Sequence, residues 1–348
     1  MLLCISTSAS ATYTMIVAQE PGGGTSVWAS IIAKHLEKYL GEEIVLRHIP
    51  GARDIPGFNE FHNKLRFDEK TIMVSHGAHA ESYLIEKVDF SYKEYDPIGG
   101  MNLSAVTAYH SSFDPYSHTQ IKFSTGSGFN PDAMAMTLLV CGNLKSLNEY
   151  LKCYNDKIIF VRGMKAGERR LAFSRKELNV TRESTAAFIK FVQPLIDKNE
   201  AVLWFNHGVF DATSKQIIPD PNFKKESFFL EIFKSKWKEL PHGPLYDAYL
   251  LVKQHRDILQ KSLWMNKNNP NSKKVQGALR SMINDKTALL EIERDSGKYQ
   301  WLIGNDLVSA VEYLQTTVNP QNLQNLVIWE KSAFGVDAVL KPQLIKQH

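Results

Sequence analysis

Polar and apolar positions in this chain follow two alternating periods. Residues 13–17 (YTMIV) form a short apolar run of the kind a buried strand shows. After Pro21 and three glycines, Gly22, Gly23 and Gly24, the spacing changes. Val27, Trp28, Ile31, Ile32, Leu36, Tyr39 and Leu40 trace one buried face of a helix. Thr25 or Ser26 is placed to cap its start, and Gly41 to end it in the left-handed conformation. The same alternation predicts further strands at 44–46, 71–74, 102–110, 121–124, 157–162, 201–205, 248–253 and 299–303. It predicts helices at 130–140, 183–198, 255–265, 271–284, 307–317 and 319–334, and a short helix or irregular segment at 57–65. Residues 211–241 are weakly patterned. Short apolar strands interleaved with helices point to an α/β protein.

The joints between these elements carry the candidate chemistry. A strand, a glycine turn and a helix start aim backbone N–H groups at one point, which favours an anion, and glycine lets that anion approach closely. Gly23, Gly24, Thr25 and Ser26 form one such joint. Thr125, Gly126, Ser127, Gly128 and Phe129 form a second, before a helix with Asn130 as cap, Pro131 at its first position and Asp132 on its dipole. The strand at 71–74 runs into a small-residue turn at Ser75, His76, Gly77, Ala78 and His79. No GK[ST] follows the glycines, G-x-G-x-x-G is incomplete and G-x-S-x-G fails at Thr125, so a P-loop, a dinucleotide fingerprint and a nucleophile elbow are not indicated. His76, His79 and Glu81 lack the further imidazole or cysteine that a zinc site needs. No metal, no cofactor and no catalytic residue is expected.

Composition narrows the partners. The chain has 348 residues, enough for two domains, and a net charge of +4 with no basic run interleaved with aromatics, so nucleic acid is not indicated. No apolar stretch approaches the roughly 20 residues of a membrane span. Cys141 and Cys153 stand either as a disulfide or as two buried thiols. Residues 1–11 (MLLCISTSASA) read either as the tail of a secretory signal, with Ala9-Ser10-Ala11 before the first strand, or as a frayed terminus.

The order PGGGTS (21–26), LGEEIVLRHI (40–49) and PGARDIPG (50–57) resembles the substrate-binding proteins of tripartite tricarboxylate transporters, the TctC or Bug family. These open with PGGGTD, a helix, LG, a strand and a PGAGG-like turn. Here Ser26 replaces the family's acid, which disfavours amino acids as ligands, and Arg53 and Asp54 replace its second glycine pair. The helix phrase at 171–179 carries Lys176 and Asn179 where the family has Gly and Asp. The resemblance runs in order over roughly residues 13–330. It implies a type II periplasmic binding protein: two α/β domains with a central ligand cleft, the first of residues 12–118 plus 210–348, the second of 119–209. The crossing between them is expected in the polar loop at 110–119. It further implies an exported, periplasmic monomer that captures a small carboxylate by hinge closure and delivers it to membrane transporter subunits. Backbone N–H groups of 23–26 and 125–129 would hold the ligand, the turn at 75–79 would close its side, and Met164 would line the cleft. Arg169 or Arg170 is placed either to meet a carboxylate or to lie on a solvated helix face. The alternative is the same fold reused as a sensory or structural particle component.

Overall fold

The computed structural model describes residues 12–125, 131–211, 213–316 and 318–341. The first segment runs β1 (Tyr13–Val17), α1 (Gly24–Leu40), β2 (Ile44–His48), α2 (Ile55–Asn63), β3 (Thr71–His76), α3 (Gly77–Ile85) and β4 (Tyr95–Met101). β1 lies between β2 and β3, parallel to both, and its Met15, Ile16 and Val17 are buried, as befits a strand covered on both faces. α1 ends at Gly41 with φ 72°, in the expected left-handed cap. Its start differs from expectation. Gly23 is the cap and no side chain fills that role, so Thr25 and Ser26 sit inside the first turn. The turn expected at 75–79 is also different. β3 continues through His76, and α3 begins at Gly77 with His76 Nδ1 accepting from the Ala78 N–H at 3.2 Å.

The chain then forms β5 (Ala105–His110), β6 (Ile121–Phe123), α4 (Pro131–Cys141), α5 (Leu147–Lys157), β7 (Ile158–Phe160), α6 (Ala166–Ser174), β8 (Val180–Ser184), α7 (Thr185–Phe191), α8 (Gln193–Asp197) and β9 (Ala201–Asn206). β5 lies between β8 and β9, antiparallel to both, while β6 and β7 make a parallel pair. Hydrogen bonding passes from the first sheet to the second between Met101 and Ala105, earlier than the crossing expected in the loop at 110–119. Residues 183–198 are not one helix. Glu183 and Ser184 close β8, where Val180, Thr181, Glu183 and Ser184 are all buried, and Pro194 opens the separate α8. A disulfide joins Cys141, the last residue of α4, to Cys153 in α5.

The remainder runs β10 (Val209–Asp211), β11 (Gln216–Ile218), α9 (Phe229–Trp237), α10 (Pro244–Ile258), β12 (Lys261–Asn266), α11 (Ser272–Asn284), α12 (Lys286–Ser296), β13 (Trp301–Ile303), α13 (Asn305–Thr316) and α14 (Pro320–Phe334). The strand and helix expected at 248–253 and 255–265 are exchanged. Residues 248–253 belong to α10, whose Leu245, Ala248, Tyr249, Leu251 and Val252 are buried and whose Pro244 stands in the first turn. A short apolar run does not by its period distinguish a strand from a buried helix. β12 inserts antiparallel between β3 and β4 and completes a six-stranded sheet in the order β13-β4-β12-β3-β1-β2. One apolar core joins this sheet to α1 and α11 through Trp28, Leu36, Ile72, Leu263 and Leu279. Another joins α4, α9, α10 and α14 through Met134, Leu138, Phe233, Tyr249 and Trp329. α9 and α14 therefore pack with helices of the middle segment although they come from the end of the chain.

Candidate functional site

A cavity of about 380 Å3 opens between the first turn of α1, the turn at 50–54, the segment 163–169 and the end of β8, with the start of β12 at its floor. Of the residues expected in the site, Gly23, Gly24, Thr25, His76, Ala78, Thr125, Met164 and Arg169 line it. Ser26, Ser75, Gly77 and His79 do not, and each has another role. Ser26 Oγ accepts from the Gly22 N–H at 3.3 Å and lies 2.9 Å from His48 Nε2. Ser75 Oγ is 2.7 Å from the Tyr92 hydroxyl. Gly77 packs so closely on Gln260 that a Cβ there would fall 2.1 Å from Oε1. His79 Nδ1 accepts from the His76 N–H at 3.3 Å, so Nε2 carries the proton and donates to Asp54 O at 2.9 Å. Gly126, Ser127, Gly128, Phe129 and Asn130 lie outside the described residues.

The backbone donors of 23–26 are not all offered to the cavity. Gly23 N–H donates to Glu20 O at 3.1 Å, and Thr25 N–H donates to Gln19 Oε1 at 2.9 Å. Two of the four N–H groups in that joint are thus held by the chain itself.

Besides Arg169, charge in the cavity comes from side chains that the sequence patterns do not single out. Lys261, at the start of β12, is 2% exposed and donates from Nζ to Thr25 Oγ1 at 3.1 Å. Burial, then the charges of Arg256 and Arg182, bring its ammonium down to about 7. Arg182 on β8 donates from Nε to Asp132 Oδ2 at 2.7 Å. Asp132 is fully buried and also accepts from Thr107 Oγ1 at 3.2 Å and His207 Nε2 at 2.8 Å. Burial opposes its charge, but Arg182 and His207 outweigh that and hold the carboxyl well below its usual range. Arg256 on α10 donates from Nη1 to the buried Glu81 Oε1 at 2.6 Å. Among the described residues, the buried atoms Arg182 Nη2, Ser184 Oγ and Gln260 Oε1 have no hydrogen-bond partner, and all three residues line this cavity.

An acid also stands in the cleft, but from the 50–54 turn. Asp54 Oδ2 accepts from Gln19 Nε2 at 3.1 Å and lies 3.1 Å from His76 Nε2. Burial raises its carboxyl to about 6, and burial likewise holds His76 and His79 well below the ordinary imidazole value. Arg53 and Asp54, where the resembling family has glycines, keep glycine-like geometry with φ 52° and 62°. Arg53 is held there by an ion pair with the buried Glu86.

The two sides also touch at the mouth. Lys165 and Glu20 pair at 2.7 Å, and Arg170 donates to Gly22 O at 3.0 Å while pairing with Glu183 at 2.8 Å. Arg169 lines the cavity and Arg170 bridges it, so neither lies on a free helix face. Lys261 and Arg182 were missed because their strands were read as helices or not read at all. The one available signal was Pro244, which marks the start of α10 and so displaces the next strand toward 261.

No protein-family model matches the sequence, and no curated protein matches it. Solved structures do. A structure of the periplasmic binding protein BugD aligns over 93% of this chain and 98% of its own, at TM-score 0.61 and 13% identity. An R. palustris protein with adipate aligns over 95% and 98%, at TM-score 0.59 and 10% identity. MatC from Rhodopseudomonas palustris with bound malate aligns over 92% and 98%, at TM-score 0.55 and 14% identity. At such identities the likeness is one of fold. The chain has the fold of the periplasmic binding proteins, two α/β domains with a central cleft. Within that class it resembles a Bug protein, in line with the likeness carried by residues 21–57.

Proposed function

We propose that this protein is an exported solute-binding protein of the tripartite tricarboxylate transporter type. It captures a small carboxylate between its two domains and passes it to membrane transporter subunits. One observation carries this reading. Arg169, Arg182, Arg256 and Lys261 converge on one cavity, and the acids that neutralise Arg182 and Arg256 approach from outside its lining. Such a cavity stabilises an anion through charge-assisted hydrogen bonds. The malate and adipate held by two of the similar folds are ligands of that class. The Cys141–Cys153 disulfide suits an oxidising compartment outside the cytoplasm.

In this reading Gly23, Gly24, Thr25, His76, Ala78, Thr125, Met164 and Arg169 contact the ligand, and closure is driven by contacts that exist only when both walls meet. The hinge is formed by 102–104 and 207–208, with β5 to β9 in the second domain and α9 and α14 packed against it. The protein works as a monomer, without cofactor. A thermal-shift screen of refolded protein against di- and tricarboxylates tests this reading. A ligand that binds only the folded state raises the melting temperature by mass action. A concentration-dependent rise with one acid supports it, and no rise with any acid overturns it.

A further inference from the structure

The amino-acid sequence directs attention to backbone nests, but the cleft offers its strongest unused binding capacity elsewhere. Lys261 Nζ is buried at the floor and is hydrogen-bonded to the neutral Thr25 hydroxyl. The two arginines whose charges act on it each have an acid: Arg182 has Asp132 and Arg256 has Glu81. Arg182 still presents Nη2, a buried N–H group with no partner among the described residues, and Ser184 presents a buried hydroxyl in the same condition. A buried donor left unmade costs about 1–3 kcal/mol, so these groups have more to gain from an anion than an exposed cation would.

We infer that Lys261, with Arg182 Nη2 and Ser184 Oγ, forms the subsite that grips one carboxylate of the ligand. β12 and α1 supply the ammonium and its hydroxyl support from one domain, and β8 supplies the guanidinium and the serine from the other. The anion itself therefore ties the two walls together. The inference rests on the proposed carboxylate reading for the kind of ligand, but not for where its charge is held.

The placement has a consequence for pH. The groups facing Lys261 are Arg256 on α10, Arg182 on β8, Asp54 before α2, His76 on β3 and His79 on α3. Burial, then the two arginines, disfavour a proton on Nζ, and Asp54 favours it. A carboxylate placed against Nζ adds a second favourable charge, so binding draws in a proton at neutral pH and above.

The test uses the full chain and measures binding of succinate, malate, adipate, citrate, phosphate and sulfate by calorimetry at several pH values between about 6.5 and 9. It compares the native protein with Lys261→Met, Lys261→Arg and the exposed control Lys64→Met. Circular dichroism first establishes that each variant folds. The expected result is a carboxylate bound by the native protein and by Lys64→Met, and weakened about 10- to 100-fold by Lys261→Met. Lys261→Arg retains part of the affinity. Native affinity falls as pH rises through the window, and the fall is absent in Lys261→Arg. Should Lys261→Met not fold, the loss of pH dependence in Lys261→Arg decides the matter alone. A carboxylate bound equally by Lys261→Met overturns the subsite and leaves the carboxylate reading intact. Phosphate or sulfate binding lost in Lys261→Met, with no carboxylate bound, supports the subsite and overturns the carboxylate reading. Binding of none of the six anions overturns both.

Discussion

Gly24 at the start of α1 touches Ser184 at the end of β8. A Cβ built on Gly24 would fall 2.5 Å from Ser184 Oγ, 3.5 Å from its Cβ and 3.7 Å from the Ala187 Cβ. The absence of a side chain at position 24 is what allows the two walls of the cleft to meet. Gly24→Ala is accommodated by turning one hydroxyl. Gly24→Leu cannot be, and is expected to hold the walls apart. Small-angle X-ray scattering should show a larger radius of gyration for Gly24→Leu, with anion binding lost while the melting temperature is little changed. An unchanged radius would mean that closure does not depend on this contact.

Asp132 is the buried partner that fixes Arg182. Its carboxylate accepts from three separate parts of the chain: Thr107 on β5, Arg182 on β8 and His207 after β9. Asp132→Ala leaves the guanidinium without its counter-charge and should cost about 3–5 kcal/mol of folding stability, read from urea unfolding. A cost below about 1 kcal/mol would show that water replaces the carboxylate, and that Arg182 is held by something else.

Two groups in the cleft should shape stability with opposite signs. Lys261 lies at about 7 when folded, against 10.5 for the free side chain, so between those values the unfolded chain binds more protons. Stability from this group therefore rises as pH increases from about 7 toward 10.5. Asp54 lies at about 6 against 3.8, so between those values the folded chain binds more protons, and stability falls as pH rises through that window. Urea midpoints for the ligand-free protein should show both slopes. Lys261→Met should remove the alkaline one alone, and Asp54→Asn the acidic one alone. A native-like alkaline slope in Lys261→Met would place its origin in another group.

The bond between Cys141 and Cys153 closes a short loop from the end of α4 into α5. Its main effect is on the unfolded chain, and reduction should cost about 3 kcal/mol for a loop of this length. The Cys141→Ser, Cys153→Ser pair of substitutions should lower the urea midpoint to match that of reduced native protein. Native protein insensitive to reductant would indicate that the helices α4 and α5 are held by packing alone.

Much of the fold was legible because its signals are local. β1, α1, β2 and β3 were readable from apolar runs, period and the glycine at 41, and α11 and α14 from amphipathic spacing and an Asn-Pro start. The exchange of strand and helix between 248 and 266 shows where such signals end. Ala248, Tyr249, Leu251 and Val252 are buried from several sides at once, so the run has no polar face to reveal its period. β12 carries Lys261 and Ser262 in full burial because other parts of the chain surround them, not because the strand is apolar. Of the residues lining the cavity, Gly24 and Thr25 were readable from their joint and Arg169 only as an alternative to Arg170, whereas Ser26, Ser75 and His79 are spent on internal hydrogen bonds that spacing does not disclose.

By itself the sequence determined the succession of α/β units, the glycine joint that starts α1, and the likeness that names the fold class, since each depends on residues close together in the chain. Only the tertiary structure decided which side chains share the cleft. Asp54, Arg182 and Lys261 come together because β12 inserts between β3 and β4 and because β8 ends opposite the first turn of α1. Burial in turn moved the protonation of Asp54 and Lys261, and that shift depends on everything packed around them rather than on their neighbours in sequence.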